Sequence, residues 1–200
     1  MSLFVRLNTM TSDYDKMTQA VRRARLKDDL RQACEQTLDE RVDRYLEIDH
    51  QGIIGNHYFA AASSECINLY RDGHFIATLM ASQAVNEGIL KFIAERNNIQ
   101  ARNHEELMEM LVKKGFISCD CADASERIWR SFRNDVHHMN PKVASIPFKQ
   151  LAKQNLQALA AVEREIFGVN IEQGKLLPKQ PKYWDVQKDG TVPVFLRLGI

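Results

Sequence analysis

Glycine and proline are scarce in this sequence, which has nine Gly and five Pro in 200 residues. They are sparse above all between residues 11 and 168, where apolar residues recur at helical spacing. No segment approaches the ~18 consecutive apolar residues of a membrane span, and the first residues lack the pattern of a secretory signal. Four irregularly spaced cysteines do not make a disulfide framework. The sequence therefore predicts a mostly helical protein that is soluble and cytoplasmic, with no membrane partner.

An excess of charge of one sign is also missing, because 27 Lys and Arg face 26 Asp and Glu and leave a formal net charge of +1. No global field favours nucleic acid or membranes, so any basic surface must be local. The sequence also lacks a Walker loop, a dinucleotide fingerprint and a nucleophile elbow. The Gly-Ile-Ile-Gly stretch at 52–55 is too short and too apolar to cradle a phosphate. No cofactor is therefore predicted.

The hydrophobic pattern predicts an all-α fold, a bundle of five or six helices with 44% hydrophobic residues to supply its core. A long N-terminal helix is expected over residues 12–48, as one curved helix or two, because its apolar phase drifts. Asn56 is expected to cap the next helix, and Asn140-Pro141 to stop the fifth. The remaining helices are predicted over 57–71, 74–96, 104–114, 123–139 and 148–167.

The pattern changes after Gly168 and predicts a short C-terminal β-hairpin. Two β-prone runs, 183–187 and 191–198, flank Lys188-Asp189-Gly190, and Pro193 makes the second an edge strand. A lone hairpin is marginally stable, so it must pack on the helices, on a partner chain or on the β-prone start at 3–7. The expected organisation is a helical domain over 1–168, with its core at 57–167 and an N-terminal extension at 12–48, followed by a β tail over 169–200.

The predicted fifth helix carries an unusual polar face. On a helical wheel its core face comprises Ile128, Trp129, Phe132 and Val136. The opposite arc comprises Arg130, Arg133, Asn134, His137 and His138. One interpretation is a solvated polar surface. The other is an anion site, because guanidinium groups hold phosphates and imidazoles exchange protons near neutral pH.

RNA phosphodiester cleavage without a metal needs such groups. One side chain must take the proton of the attacking 2'-hydroxyl, another must protonate the leaving 5'-oxygen, and a cation must stabilise the phosphorus oxygens. His138 lies in the last predicted turn, where unpaired carbonyls favour imidazolium. Arg133 and His138 are nevertheless about 140° apart around an ideal helix. Either the last turn is distorted or another chain completes the site.

The stretch Arg133-Asn134-Asp135-Val136-His137-His138 resembles the RNxxxH form of the R-x(4 to 6)-H signature of HEPN domains, the higher eukaryote and prokaryote nucleotide-binding family. The order of elements is similar too, with a mid-chain helix that carries an acidic residue, here Glu87, before the motif on a late helix. The resemblance covers residues 57–167.

The resemblance implies a metal-independent endoribonuclease of the toxin or antiphage defence type, leaving a 2',3'-cyclic phosphate. It implies a homodimer with both motif helices at the two-fold interface, and an antitoxin or defence-system protein as partner. Arg133 would bind the phosphate, His138 would be the acid or base, and Asn134 would be a positioning residue. His137 is the second choice, because only three residues separate it from Arg133. Some family members bind RNA or nucleotides without cleaving, so a catalytically silent module stays open, as does a helical protein-interaction subunit of a larger complex.

Three further features have two interpretations each. Asn86, with Ser82 beside it and Glu87 at the edge, lies on the apolar stripe of the third helix; these groups either satisfy one another or orient Arg133 or a histidine. Cys119 and Cys121, with His137 or His138, offer zinc ligands, but the spacing of a structural site is missing, so no metal is predicted. The basic cluster at 22–31 is diluted by acidic residues and favours a salt-bridged solvated face over an RNA groove.

Overall fold

The computed structural model describes residues 3–197, with side chains for residues 13–132 and 134–197. This part of the chain is mostly helical, which confirms the all-α class. Its helices are α1 (Leu3–Gln36), α2 (Leu38–Leu46), α3 (Ala60–Arg71), α4 (Phe75–Arg96), α5 (His104–Lys113), α6 (Cys119–Trp129), α7 (Arg133–His137) and α8 (Phe148–Ile166). Its strands are β1 (Ile53–Gly55), β2 (Val169–Glu172), β3 (Lys175–Pro178) and β4 (Val194–Leu196).

The chain divides into two units between Asp43 and Arg44. The first unit contains α1, which is helical from Leu3, so the β-prone start expected at 3–7 is wrong. The N-terminal helical region is two helices that separate at Thr37. Its charged side chains form surface pairs such as Arg31 with Asp28 at 3.9 Å. No helix among the described residues is both long enough and apolar enough to cross a bilayer.

The second unit is built around α4, which packs against α3, α6 and α8. Its apolar stripe is fully buried at Leu79, Ile89 and Ile93, which explains why sequence periodicity located this helix to within one residue. An aromatic cluster forms part of the core. It comprises His57, Phe59, Phe92, Phe167, Tyr183 and Trp184.

α5 begins at a polar cap residue, as the sequence suggests, whereas α3 does not. Asn103 accepts a hydrogen bond from the Glu106 N–H at 2.9 Å and caps α5 as an asparagine ordinarily does. The expected cap at Asn56 is wrong, because α3 begins only after Phe59, whose side chain makes no cap hydrogen bond. The Ala60 N–H instead donates to the His57 carbonyl at 2.9 Å, and the Phe59 ring is buried in the aromatic cluster.

The predicted hairpin between 183–187 and 191–198 is wrong, although its turn exists, with the Gln187 N–H donating to the Thr191 carbonyl at 2.8 Å. Tyr183 and Trp184 are each 2% exposed, so their burial in the core displaces strand pairing. The second run supplies β4, which pairs antiparallel with β1, placing Ile53 opposite Leu196. The hairpin of the tail is instead β2 with β3, around Gln173 and Gly174, both at positive φ.

Beside β4, Arg197 fastens the tail to the helices by a buried ion pair. Its Nη2 lies 2.7 Å and 2.8 Å from the two carboxylate oxygens of Glu163 in α8, and both side chains are 3% exposed. Ser63 of α3 also donates to Glu163. The tail therefore belongs to the core of the second unit.

Candidate functional site

The polar face expected on one continuous helix over 123–139 is interrupted in the structure. α6 ends at Trp129, and Phe132 takes a left-handed conformation with φ of 52° before α7 begins at Arg133. The single-helix wheel is therefore wrong, and Arg130 belongs to a different element from Asn134, His137 and His138. Phe132 was expected in the core but is 44% exposed, whereas Ile128 and Val136 are buried as expected.

A buried polar network holds this break. Ser131 Oγ donates to the Ile128 carbonyl at 2.6 Å, and Gln83 Nε2 donates to the Ser131 carbonyl at 2.9 Å. Asn155 Nδ2 donates to Ser131 Oγ at 2.8 Å and to Ser82 Oγ at 3.2 Å. These side chains occupy carbonyls at the end of α6 and anchor the linker to α4 and α8. The break is thus fixed by tertiary contacts.

α7 ends in a Schellman-type turn that presents the two histidines. The Asn140 N–H donates to the Asp135 carbonyl at 3.0 Å across Met139, which has a φ of 48° in place of the usual glycine. Val136 is 1% exposed, and its burial anchors the short helix to the core. His137 and His138 are both exposed, one as the last helical residue and the other just after it.

The two histidines line an open cleft of about 640 Å³. The cleft is lined by Trp129, Arg130, Phe132, Asn134, Asp135, His137 and His138. The structure therefore brings Arg130, Asn134, His137 and His138 of the predicted site to one surface, although they come from α7 and the segments on either side of it. Arg133 is the first residue of α7 by its backbone, and its side chain lies outside the described residues.

Arg130 is held at the cleft by a chain of contacts that the sequence did not reveal. Its Nε pairs with Glu126, whose second carboxylate oxygen lies 3.1 Å from His104 Nε2. The His104 ring in turn stacks on the Trp129 ring, with centroids 3.9 Å apart and planes 5° apart. The four-residue spacing of Glu126 and Arg130 was a readable signal. His104 is far away in sequence and gave none.

Two polar residues of α4, Asn86 and Glu87, have hydrogen-bond or ion-pair partners within the helical bundle. Asn86 accepts from Ser125 Oγ at 2.9 Å and donates to the Ser125 carbonyl at 3.2 Å. Glu87 pairs with Lys91 at 2.8 Å. The side chain of Arg133 lies outside the described residues, so the positioning role expected for Asn86 or Glu87 stays a prediction.

The arrangement can bind an anion and exchange protons. An exposed guanidinium with a fixed carboxylate partner, two exposed imidazoles and an amide surround a space large enough for a nucleotide phosphate. Among the described side chains, no group of three or more His, Cys, Asp or Glu residues is placed to hold a metal ion. Cys121 is buried and Cys119 is exposed, so the two thiols face different environments.

No protein-family model, curated protein or solved structure matches this chain.

Proposed function

We propose that this chain is a metal-independent endoribonuclease of the HEPN type. The observation that carries the proposal is the cleft in which exposed His137 and His138 adjoin Arg130, Asn134 and the exposed ring of Phe132. Proton-exchanging groups, a cation and an aromatic surface are the components that recognition and cleavage of single-stranded RNA require. The motif at 133–138 supplies the family resemblance.

In the proposed reaction, the RNA 2'-hydroxyl attacks the adjacent phosphorus and the 5'-oxygen leaves. His138 carries out one of the two proton transfers, either taking the 2'-hydroxyl proton or protonating the leaving 5'-oxygen, and water carries out the other. Asn134 positions the phosphate or the attacking hydroxyl. Arg133 binds the phosphate, as the family motif implies, while Arg130 adds a second guanidinium whose orientation Glu126 fixes. Charge stabilisation and proton transfer by these groups lower the barrier and leave a 2',3'-cyclic phosphate.

The proposed active species is a homodimer that pairs the two α7 regions. Arg133 and His138 are about 140° apart around an ideal helix, so they do not converge on one atom. The break at Phe132 lies before both residues and does not change this angle. A second copy placed against α7 brings donors from both chains to one phosphate. A cytoplasmic toxin or antiphage defence role, with an antitoxin or defence protein as partner, follows from the family resemblance.

Cleavage assays on purified protein test the proposal. We expect single-stranded RNA to be cut in EDTA with cyclic phosphate ends, and Arg133→Ala and His138→Ala to abolish cutting. His137→Ala should retain substantial activity. Arg127→Ala and His74→Ala replace exposed residues outside the cleft and serve as matched controls. Loss of activity in EDTA that zinc or magnesium restores would contradict the mechanism, and a dead His137→Ala with an active His138→Ala would reverse their roles.

A helical protein-interaction subunit is the second candidate function, and one observation favours it. Large apolar side chains along α1 are exposed, including Tyr14 at 66%, Met17 at 61% and Leu30 at 71%. Exposed apolar patches of this kind mark surfaces that bind proteins. RNA cleavage by the purified chain would separate the two candidates, because an interaction subunit has no such activity.

A further inference from the structure

A small cavity in the second unit has no lining residue in common with the cleft that His137 and His138 line. It has a volume of about 200 Å³ and is lined by residues of α2, α3 and β4 together with His50 and Arg197. The lining residues are Tyr45, His50, Ser64, Ile67, Asn68, Phe195, Leu196 and Arg197. Sites for drug-sized ligands are ~300 Å³ or larger, so this cavity suits a smaller molecule.

Two lining residues of this cavity, Ser64 and Arg197, carry buried polar atoms that lack hydrogen-bond partners. Arg197 is 8% exposed, and within the described part of the chain neither its Nε nor Ser64 Oγ has a partner. Gln51 adjoins Arg197, because its carbonyl accepts from Arg197 Nη1 at 3.1 Å, and its own Nε2 is buried with no partner among the described residues. Both nitrogens are donors only. Because an unpaired buried donor is unfavourable, the component missing here is a hydrogen-bond acceptor.

The charge of Arg197 is already balanced within the core. Its Nη2 lies 2.7 Å and 2.8 Å from the two carboxylate oxygens of Glu163, and no residue that lines the cavity is acidic. A ligand carboxylate at Nε would place a second anion beside the same guanidinium. With His50 in its neutral form, no second lining cation would balance that anion, and an unbalanced buried charge is strongly unfavourable. The charge balance therefore favours a neutral acceptor, such as the carbonyl oxygen of an amide.

The remaining lining groups suit the other parts of a small amide. The Tyr45 hydroxyl and the Asn68 side chain make no hydrogen bond within the described part of the chain, and both can accept from an amide N–H. Ile67, which is 7% exposed, lines the cavity together with Phe195. The rings of Tyr45 and His50 are in edge contact, with centroids 5.5 Å apart. These side chains provide an apolar surface for a short alkyl or aryl group.

We infer that this cavity is a binding site for a small neutral carboxamide that carries an apolar group. The carbonyl oxygen of the ligand accepts from Arg197 Nε and Ser64 Oγ. Its N–H groups donate to Asn68 or Tyr45, and its apolar group packs against Ile67. The site goes beyond the proposed ribonuclease, because neither its residues nor its test involves RNA.

Two ligands of the same shape test the class of the ligand. Benzamide is neutral, and benzoate is its anionic counterpart. In NMR titrations of the full chain at about pH 8, above the ordinary pKa of histidine, we expect benzamide to bind with a Kd of about 1 mM or lower. Benzoate should bind at least about tenfold more weakly, because its charge has no partner. If neither ligand binds at about 20 mM, the cavity holds water only, and if both bind equally, it does not select a neutral ligand; either result overturns the assignment.

Ser64→Ala locates the bound amide in this cavity. Because Ser64 Oγ has no partner among the described residues, its removal should not lower the free energy of unfolding. Benzamide binding should weaken about threefold to tenfold, the size expected for one neutral hydrogen bond. Ser145→Ala changes an exposed serine outside the cavity and should leave binding unchanged. Wild-type affinity of Ser64→Ala for benzamide would place the ligand elsewhere and overturn the assignment.

Discussion

Asn155 donates a hydrogen bond from Nδ2 to Ser131 Oγ at 2.8 Å, so a buried amide of α8 fixes the linker that separates Arg130 from the motif helix. The same amide donates to Ser82 Oγ at 3.2 Å and thereby joins α8 to α4. The orientation of the candidate cleft is thus a property of the core. Buried residues that are distant in sequence from the motif therefore help to determine which side chains face one another across the cleft.

Removing this amide should destabilise the fold. Asn155 is 1% exposed, and Asn155→Ala leaves Ser131 and Ser82 without this donor and opens a small cavity. We expect the free energy of unfolding to fall by about 1–3 kcal/mol in urea titrations. Gln157→Ala changes an exposed amide on the same helix and should have little effect. Equal stability of the two variants would show that the network does not support the break.

Periodicity located best the helices whose boundaries are signalled by residues next to them in the sequence. α4, α5 and α8 each begin and end within one residue of the prediction, because their apolar stripes are regular and stop signals such as Gly115 follow them. The break before α7 has no such signal. Phe132 and Val136 continue the four-residue spacing of an unbroken helix, and the contacts from Gln83 and Asn155 that interrupt it come from distant positions.

The same reasoning explains which features of the tail and of the site could be predicted from the sequence. β1 and β4 are paired across more than a hundred residues, and nothing in either short run identifies the other as its partner. For the site, residue types within one short stretch could be predicted, since Asn134, His137 and His138 are adjacent in sequence and in the cleft. The contribution of His104 depends on tertiary packing and was not predictable.

Because Phe132 has a left-handed conformation, a glycine at this position should give a more stable protein than an alanine. Non-glycine residues there cost roughly 1–2 kcal/mol, and the ring is 44% exposed, so both variants lose similar packing. We expect Phe132→Gly to be about 1 kcal/mol more stable than Phe132→Ala in urea titrations. At Arg127, an exposed position within α6, the order should reverse, because glycine is unfavourable inside a helix. The same order at both positions would contradict the conformation.

His57 should make stability depend on pH. Burial lowers the pKa of His57 below its ordinary value, a shift that its hydrogen bond to the Tyr183 carbonyl and the nearby Asp185 only partly oppose. The unfolded chain therefore takes up the proton first as pH falls. The contribution of His57 to the free energy of unfolding is complete above about pH 6.5. Below that pH it should decline by at most about 1.4 kcal/mol per pH unit. His57→Gln should flatten the difference between pH 7.5 and 5.5, and an unchanged slope would exclude this histidine as its source.

The four cysteines should divide into two reactive and two protected thiols. Burial raises the pKa of the Cys66 and Cys121 thiols to about 12, whereas Cys34 and Cys119 are exposed. Because the thiolate is the reactive form, iodoacetamide at pH 8 should label the exposed pair first, with the buried pair reacting only after urea is added. Peptide mass spectrometry distinguishes Cys119 from Cys121. Equal labelling of these two in the folded protein would show that α6 packs differently.

The last prediction concerns the shared site. Arg133 begins α7 and His138 follows its last residue, and five residues correspond to about 140° around an ideal helix. If each site takes its arginine from one chain and its histidine from the other, mixed dimers of Arg133→Ala and His138→Ala protein contain one intact site in two. Random mixing of the inactive variants should then restore about a quarter of wild-type activity. Light scattering should give a mass near twice 23.0 kDa. A fully active monomer, or a mixture that stays inactive although the chains exchange, would require Arg133 and His138 of one chain to meet unaided.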